Sequence, residues 1–202
     1  FLYYPYTLHE RYIMAFIAIM EGILPLSEQI NPRKMKITTR ILLVILISVT
    51  SAKAQERSTH EVYAAMLYNF IKYIQWPDEG AGGEFVVGVM GDDNVYSTLK
   101  QWYDGKPKGT KKYVIKKLAT AGEASTCHVV YLGKARDFEG VKNSVTGRSV
   151  LTITDGNGLG QRGSCINFKV IDGKLRFELN QGVVADSNLR VSSQLSSMAI
   201  LI

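Results

Sequence analysis

From about residue 55 onward the chain predicts an α/β fold: a single domain with a mostly parallel sheet, helices between the strands, a C-terminal antiparallel hairpin and a buried N-terminal helix. Three observations carry this. Short apolar runs fenced by Gly and Asp alternate with helical spacers, the arrangement that parallel pairing requires. Residues 61–77, EVYAAMLYNFIKYIQWP, are apolar on almost every side, so the rest of the domain must cover a helix buried on most of its circumference. Late in the chain the pattern changes, and two strand-like runs are joined by Asp172-Gly173, a pair favoured in two-residue hairpin turns.

The opening helix has a start and a stop in the sequence. Ser58-x-x-Glu61 is a capping box, and Pro77 disfavours helical geometry at Trp76. Asn69, Lys72 and Gln75 fall three apart and form one polar stripe, while Val62, Met66, Leu67, Phe70, Ile71, Tyr73 and Ile74 fill the rest. After a turn-rich connector, DEGAGGE, residues 85–90 read as a strand buried on both faces. Gly91-Asp92-Asp93 ends it, and the Asp pair caps a helix that runs to about Tyr103. Residues 113–118, 127–132 and 149–154 make three more strands, with a helix over 135–146. Residues 165–171 and 174–180 form the hairpin, expected as an antiparallel edge. The stretch 182–202 is helical in part, with Leu195, Met198, Ala199 and Ile202 at three- and four-residue spacing.

The stretch before the domain reads as a leader. Residues 35–54 carry Lys36 and Arg40, an apolar run over 41–49 and the small-residue site Ala52-x-Ala54, the three parts of a secretory signal, with cleavage expected before Gln55. The apolar run is far short of the roughly 20 residues a bilayer span requires, so the protein is not expected to span a membrane. Residues 1–34 then lie upstream of the natural start, and the folded domain is 55–202. The 24 basic and 18 acidic residues of the whole chain fall to 18 and 15 once the six and three in residues 1–54 are set aside, a net charge of +3. That is a weak basis for nucleic-acid binding, and none is expected.

The pieces AAMLYNFIKYIQWP (64–77), FVVGVMGDD (85–93), CHVVYLG (127–133), SVLTITD (149–155) and LRFELNQGVVADSNLRVSSQL (175–195) together resemble the YfiR family of periplasmic proteins over nearly all of the domain. The resemblance implies a small α/β domain without catalytic activity, located in the periplasm. It further implies a regulatory partner, a membrane diguanylate cyclase or sensor kinase whose outer sensor region the protein binds and modulates. In the family a Cys often stands in the first strand and pairs with the Cys of CHVVYL; here Gly88 takes its place and Cys127 is left without that partner. The family also tends to have two glycines before the hairpin, where this chain has Arg162-Gly163-Ser164.

Catalytic, metal and cofactor chemistry find little support. Cys127 and His128 are strand neighbours and point to opposite faces, so they cannot form a nucleophile and base dyad. Beyond the leader only His60 and His128 remain, with no closed zinc spacing. Gly158-x-Gly160-x-x-Gly163 matches a dinucleotide fingerprint by letter but leads into a strand, so a loop is expected, with an anion nest beside Arg162 as the alternative. Cys127 and Cys165 are expected to be free and buried, at opposite edges of the sheet.

The expected function is therefore occupancy of a partner. The surfaces that would carry it are Asn69, Lys72, Gln75 and Trp76, and a lysine run, 106–117, that includes Lys111 and Lys112. A solvated strand that uses lysines to discourage edge pairing is the plainer reading of that run. The alternative function is a periplasmic small-molecule binder using the crevice around 91–93 and 155–160. Homodimer formation is left open.

Overall fold

Helix α1 (Thr59–Tyr73) starts where the capping box places it: the Ser58 N–H donates to Glu61 Oε2 at 3.1 Å. The computed structural model describes residues 58–77, 80 and 82–202, so the expected leader and cleavage site, and part of the connector, lie outside the described residues. The helix stops one turn earlier than expected. Ile74–Gln75 is a short strand, β1, paired antiparallel with Arg190–Val191 (β9), so the chain has already straightened before Pro77 forbids the helix. A hydrogen-bonding partner from the far end of the chain outweighs local helical spacing here.

The main sheet contains eight strands: β2 (Gly83–Met90), β3 (Pro107–Lys108), β4 (Lys111–Lys117), β5 (Val129–Leu132), β6 (Leu151–Asp155), β7 (Ile166–Ile171), β8 (Lys174–Leu179) and β10 (Ile200–Leu201). Their order is β10-β8-β7-β6-β5-β2-β4-β3. Pairing is parallel throughout except β3 with β4 and β7 with β8. The helices are α2 (Asp93–Tyr103), α3 (Phe138–Val145), α4 (Gln181–Asp186) and α5 (Ser193–Met198), with 3-10 turns at Ala121–Thr126 and Ala135–Asp137. The fold is thus the α/β class expected, with its hairpin at Asp172-Gly173, both residues at positive φ as a tight turn demands.

Two details of the hairpin differ from expectation. Strand β7 does not open an antiparallel edge; it runs parallel to β6, with Ile166 opposite Ile153. Because β7 starts level with the middle of β6, residues 156–165 need to return the chain by only part of a strand length, so no long crossover helix is needed. Nor is β8 the edge, since β10 adds beside it in parallel. The spacing of Leu195, Met198, Ala199 and Ile202 does not mark one helix face either: α5 ends at Met198, and only Leu195 of the four is buried.

The sheet separates two cores. On one side α1 and α2 cover a large cluster that includes Leu67, Phe70, Ile71, Phe85, Val87, Val89, Tyr113, Val129, Tyr131, Ile153, Phe168 and Phe177. On the other, the Ala121–Thr126 turn and α3 cover Val86, Met90, Leu118, Cys127, Val130, Leu132, Val141 and Val150. The alternation Val86 out, Val87 in, along β2 is the period of two that any strand imposes. Cys165 belongs to the first core and Cys127 to the second. Both are free, and each precedes a strand of the parallel set. It is the sheet between them, not a separation to its opposite edges, that keeps them apart.

Candidate partner-binding face

The polar stripe of the first helix stays at the surface. Asn69 and Lys72 are exposed on α1, and Gln75 is exposed on β1, where it alternates with the buried Ile74. Tyr68 stands beside the stripe, 39% exposed, and stacks parallel on Tyr103 of α2 with ring centroids 4.7 Å apart. Tyr113 of β4 joins them at 6.5 Å from Tyr68 and 6.1 Å from Tyr103. Lysines border these rings: Lys106 Nζ lies 5.9 Å from the Tyr103 ring, Lys72 Nζ 5.6 Å from Tyr73 and Lys100 Nζ 5.8 Å from Tyr96. Burial first, then the neighbouring Tyr68, raises the Tyr103 phenol, and Tyr113 is raised for the same reasons. The phenols therefore stay protonated at neutral pH, as donors on an otherwise cationic surface.

Tyr96, Lys100 and Tyr103 recur at four and three residues on α2, so this half of the face is visible in the spacing. What hides it is that Tyr68 reads as one more apolar residue of a buried helix. Rigid tyrosines flanked by lysines offer large contact area at low entropic cost together with charge that steers association.

Two residues expected on this face are elsewhere. Trp76 is 4% exposed and closes the core: its indole meets Phe85 edge-on at 4.9 Å, and its N–H donates to the His128 carbonyl at 3.3 Å. An aromatic at the Pro77 corner is expected to be partly exposed, but β1 carries it inward against β2. Lys111 is also buried, with Nζ 3.3 Å from His128 Nε2, so it is not part of a solvated strand. Lys112 is exposed. Strand β3 covers Lys111 and Lys112, and the Gly105 and Lys106 backbone pairs with Tyr113; beyond these β4 is an edge, where Asp104 accepts the Ile115 N–H at 2.9 Å and Lys116 and Lys117 stand exposed. Lys117 pairs with Asp93 at 2.8 Å.

At the lower end of the stripe a hollow of about 440 Å³ is lined by Gln75, Trp76, Pro77, Asn188 and Arg190. A second cleft, about 380 Å³, lies between α3 and α4 and includes Lys142, Arg162, Asn180 and Asp186. Arg162 is already engaged there: its guanidinium holds Glu139 at 2.6 Å, and Lys142 donates to the Arg162 carbonyl at 2.7 Å. The glycine-rich loop above β6 is shaped by packing. A Cβ on Gly160 would stand 2.8 Å from both Glu178 Oε2 and the Ile202 side chain. Among the described residues no three His, Cys, Asp or Glu gather in a way that could hold a metal ion. Among those residues, too, no helix is long and apolar enough to cross a membrane.

Comparison with curated proteins gives no match. A solved structure, the crystal structure of a conserved domain protein from Vibrio cholerae O1 biovar El Tor strain N16961, is similar over 71% of this chain and 60% of that one, with 9% identity and a TM-score of 0.47. This chain thus spans less than two thirds of that protein. The profile of the YfiR/HmsC-like family matches residues 60–200, from the first turn of α1 to the start of β10. A match that runs through every element of both cores and covers well over half of the sequence makes this chain a member of the YfiR/HmsC-like family.

Proposed function

We propose that the domain is an exported, non-catalytic regulator that acts in the periplasm by occupying the outer sensor region of a membrane signalling protein, a diguanylate cyclase or a sensor kinase. The observation that carries this is the surface where Asn69, Lys72 and Gln75 run beside the Tyr68–Tyr103 stack, with Lys106 nearby; Lys112, one residue from Tyr113 on β4, projects from the opposite side of the sheet. Membership of a YfiR/HmsC-like family supports the regulatory class, and the leader read over residues 35–54 supports export. The tyrosines supply contact and the lysines speed encounter with an acidic partner, so binding should weaken with salt mainly through its association rate.

The experiment is to co-express the protein with the cyclase or kinase encoded beside it and read signalling output. Wild type should change output, Tyr68→Ala and the pair Lys72→Glu with Lys106→Glu should abolish the change, and all should reach the same level in the exported fraction. Unchanged output on deletion of the gene, together with turnover of a metabolite by purified protein, would replace this reading with an enzymatic one.

A further inference from the structure

The ends of β2, β5 and β6 bring together oxygens that the fold leaves unused. Tyr131 projects from β5 to the α1 side of the sheet and is wholly buried, yet its hydroxyl has no hydrogen-bond partner among the described residues. A buried hydroxyl left without a partner is unfavourable, since it has given up its hydrogen bonds to water. Ile153 lies opposite Tyr131, which places Asp155 two residues further toward the strand ends on the same face. Asp92 follows the end of the neighbouring β2, so close to β5 that a Cβ on Gly133 would stand 2.7 Å from its own.

Among the described residues each carboxylate has one oxygen committed and one to spare. Asp92 Oδ1 accepts the Asn94 and Val95 N–H groups at 3.0 Å each, capping α2. Asp155 Oδ2 accepts the Tyr63 hydroxyl at 2.9 Å, which ties the first turns of α1 to the sheet. Among the described residues neither carboxylate forms a salt bridge. Tyr63 stacks on Phe168 with centroids 4.5 Å apart and meets Tyr131 edge-on at 6.1 Å, so one wall of the group is aromatic. Both phenols feel both carboxylates: burial foremost, then Asp92 and Asp155, raises Tyr131, and burial with Asp155 and then Asp92 raises Tyr63.

We propose that Asp92, Tyr131 and Asp155 form a binding site for a primary ammonium group, at the carboxyl ends of the parallel strands. An ammonium has three N–H donors, and the site offers three oxygens without a donor: Asp92 Oδ2, Asp155 Oδ1 and the Tyr131 hydroxyl. Its positive charge balances carboxylates that have no cation of their own, and the aromatic wall suits the alkyl carbon next to nitrogen. A divalent metal fits less well, since it wants six or more oxygens and only two carboxylates are present. The site lies at the end of the sheet where α/β folds open a ligand crevice. It is independent of the docking face on α1 and α2, and its test does not involve a partner protein.

The test is to titrate the purified protein with n-butylamine and with 1,4-diaminobutane, using 1-butanol as the uncharged control, and to follow the thermal midpoint and the tyrosine absorbance. Saturable binding of the amines, with no response to 1-butanol, is expected. Asp155→Asn and Asp92→Asn should each weaken amine binding about tenfold or more, since a hydrogen bond to a charged group is worth about 1.5–3 kcal/mol. Asn still accepts from Tyr63 and still caps α2, so both variants should fold. Tyr131→Phe should keep or raise the midpoint without amine and reduce the response to it. Absence of amine binding, binding that survives both Asn variants, or stabilisation by calcium in place of the amines would overturn the proposal.

Discussion

The two faces of the sheet are built from different materials. Under α1 and α2 the core holds Tyr63, Phe70, Trp76, Phe85, Tyr113, Tyr131, Phe168 and Phe177. The buried cluster on the other side is built of Val, Leu, Met, Ala and Cys, and α3 adds one fully buried aromatic there, Phe138. Aromatic side chains with polar tips can be buried by their rings and still present a hydroxyl or an indole N–H at the margin, which aliphatic ones cannot. The face under α1 and α2 therefore combines stability with surface chemistry, as the Tyr68–Tyr103 stack and the Tyr63–Asp155 hydrogen bond both do.

The largest way to break that contrast is Trp76→Ala, which should cost about 3–5 kcal/mol, because a buried indole leaves a large cavity and its contact with Phe85 is lost. Leu67→Ala, wholly buried under α1, should cost about 2–5 kcal/mol, whereas Lys72→Ala on the exposed stripe should stay within about 0.5 kcal/mol. Chemical denaturation of the three variants ranks them, and a costlier Lys72→Ala than Leu67→Ala would mean that α1 is turned the other way.

The aliphatic face can be sharpened by a covalent link. A Cβ on Gly88 would lie 2.8 Å from Cys127 Sγ, within bonding reach of a second sulfur once the Leu118 methyl, at 2.7 Å, rotates aside. Gly88→Cys should close a disulfide with Cys127 and stabilise the oxidised protein by about 2–4 kcal/mol. Thiol titration of the unfolded, unreduced variant should then find Cys165 alone. Three reactive thiols would show that the space at Gly88 is filled too tightly for the bond.

The smallest effect concerns the hairpin, where Glu178 is buried between Lys169 at 2.8 Å and Asn167 at 3.0 Å. Burial pushes its carboxyl up, but the hydrogen bonds and charge of Lys169 and Asn167 outweigh this and hold it below the usual carboxylate range. A group depressed in the folded state stabilises above its unfolded pKa, about 4.3, and loses that contribution as pH falls through the folded value. Stability should therefore decline on acidification below about pH 4.3, and Glu178→Gln should flatten that part of the profile. An unchanged acid limb would assign it to other carboxylates.

Much of this architecture is legible in the chain. The capping box at Ser58 and Glu61, the strand ending at Met90, the helix from Asp93 to Tyr103 and the Asp172-Gly173 turn all stand where local chemistry puts them. The features that stay hidden depend on distant partners. Ile74–Gln75 is a strand only because Arg190–Val191 lies beside it, and Ile200–Leu201 only because β8 offers an edge. The same holds for the site: Asn69, Lys72 and Gln75 can be placed by spacing, but Trp76 and Lys111 are buried by the groups that meet them from β2 and His128, which no local pattern records.

The β1–β9 ribbon has a further consequence, for the order in which the domain is made. Its first strand is synthesised more than a hundred residues before the second, and the edge partner of β8, Ile200–Leu201, comes later still. Pairings of such sequence separation form slowly, since the loop between them must close before any contact rewards it. The end of α1 consequently stays untied until Arg190–Val191 has been made. A chain in that condition remains threadable, and Arg190–Val191 is the latch that ends threading when it pairs with Ile74–Gln75.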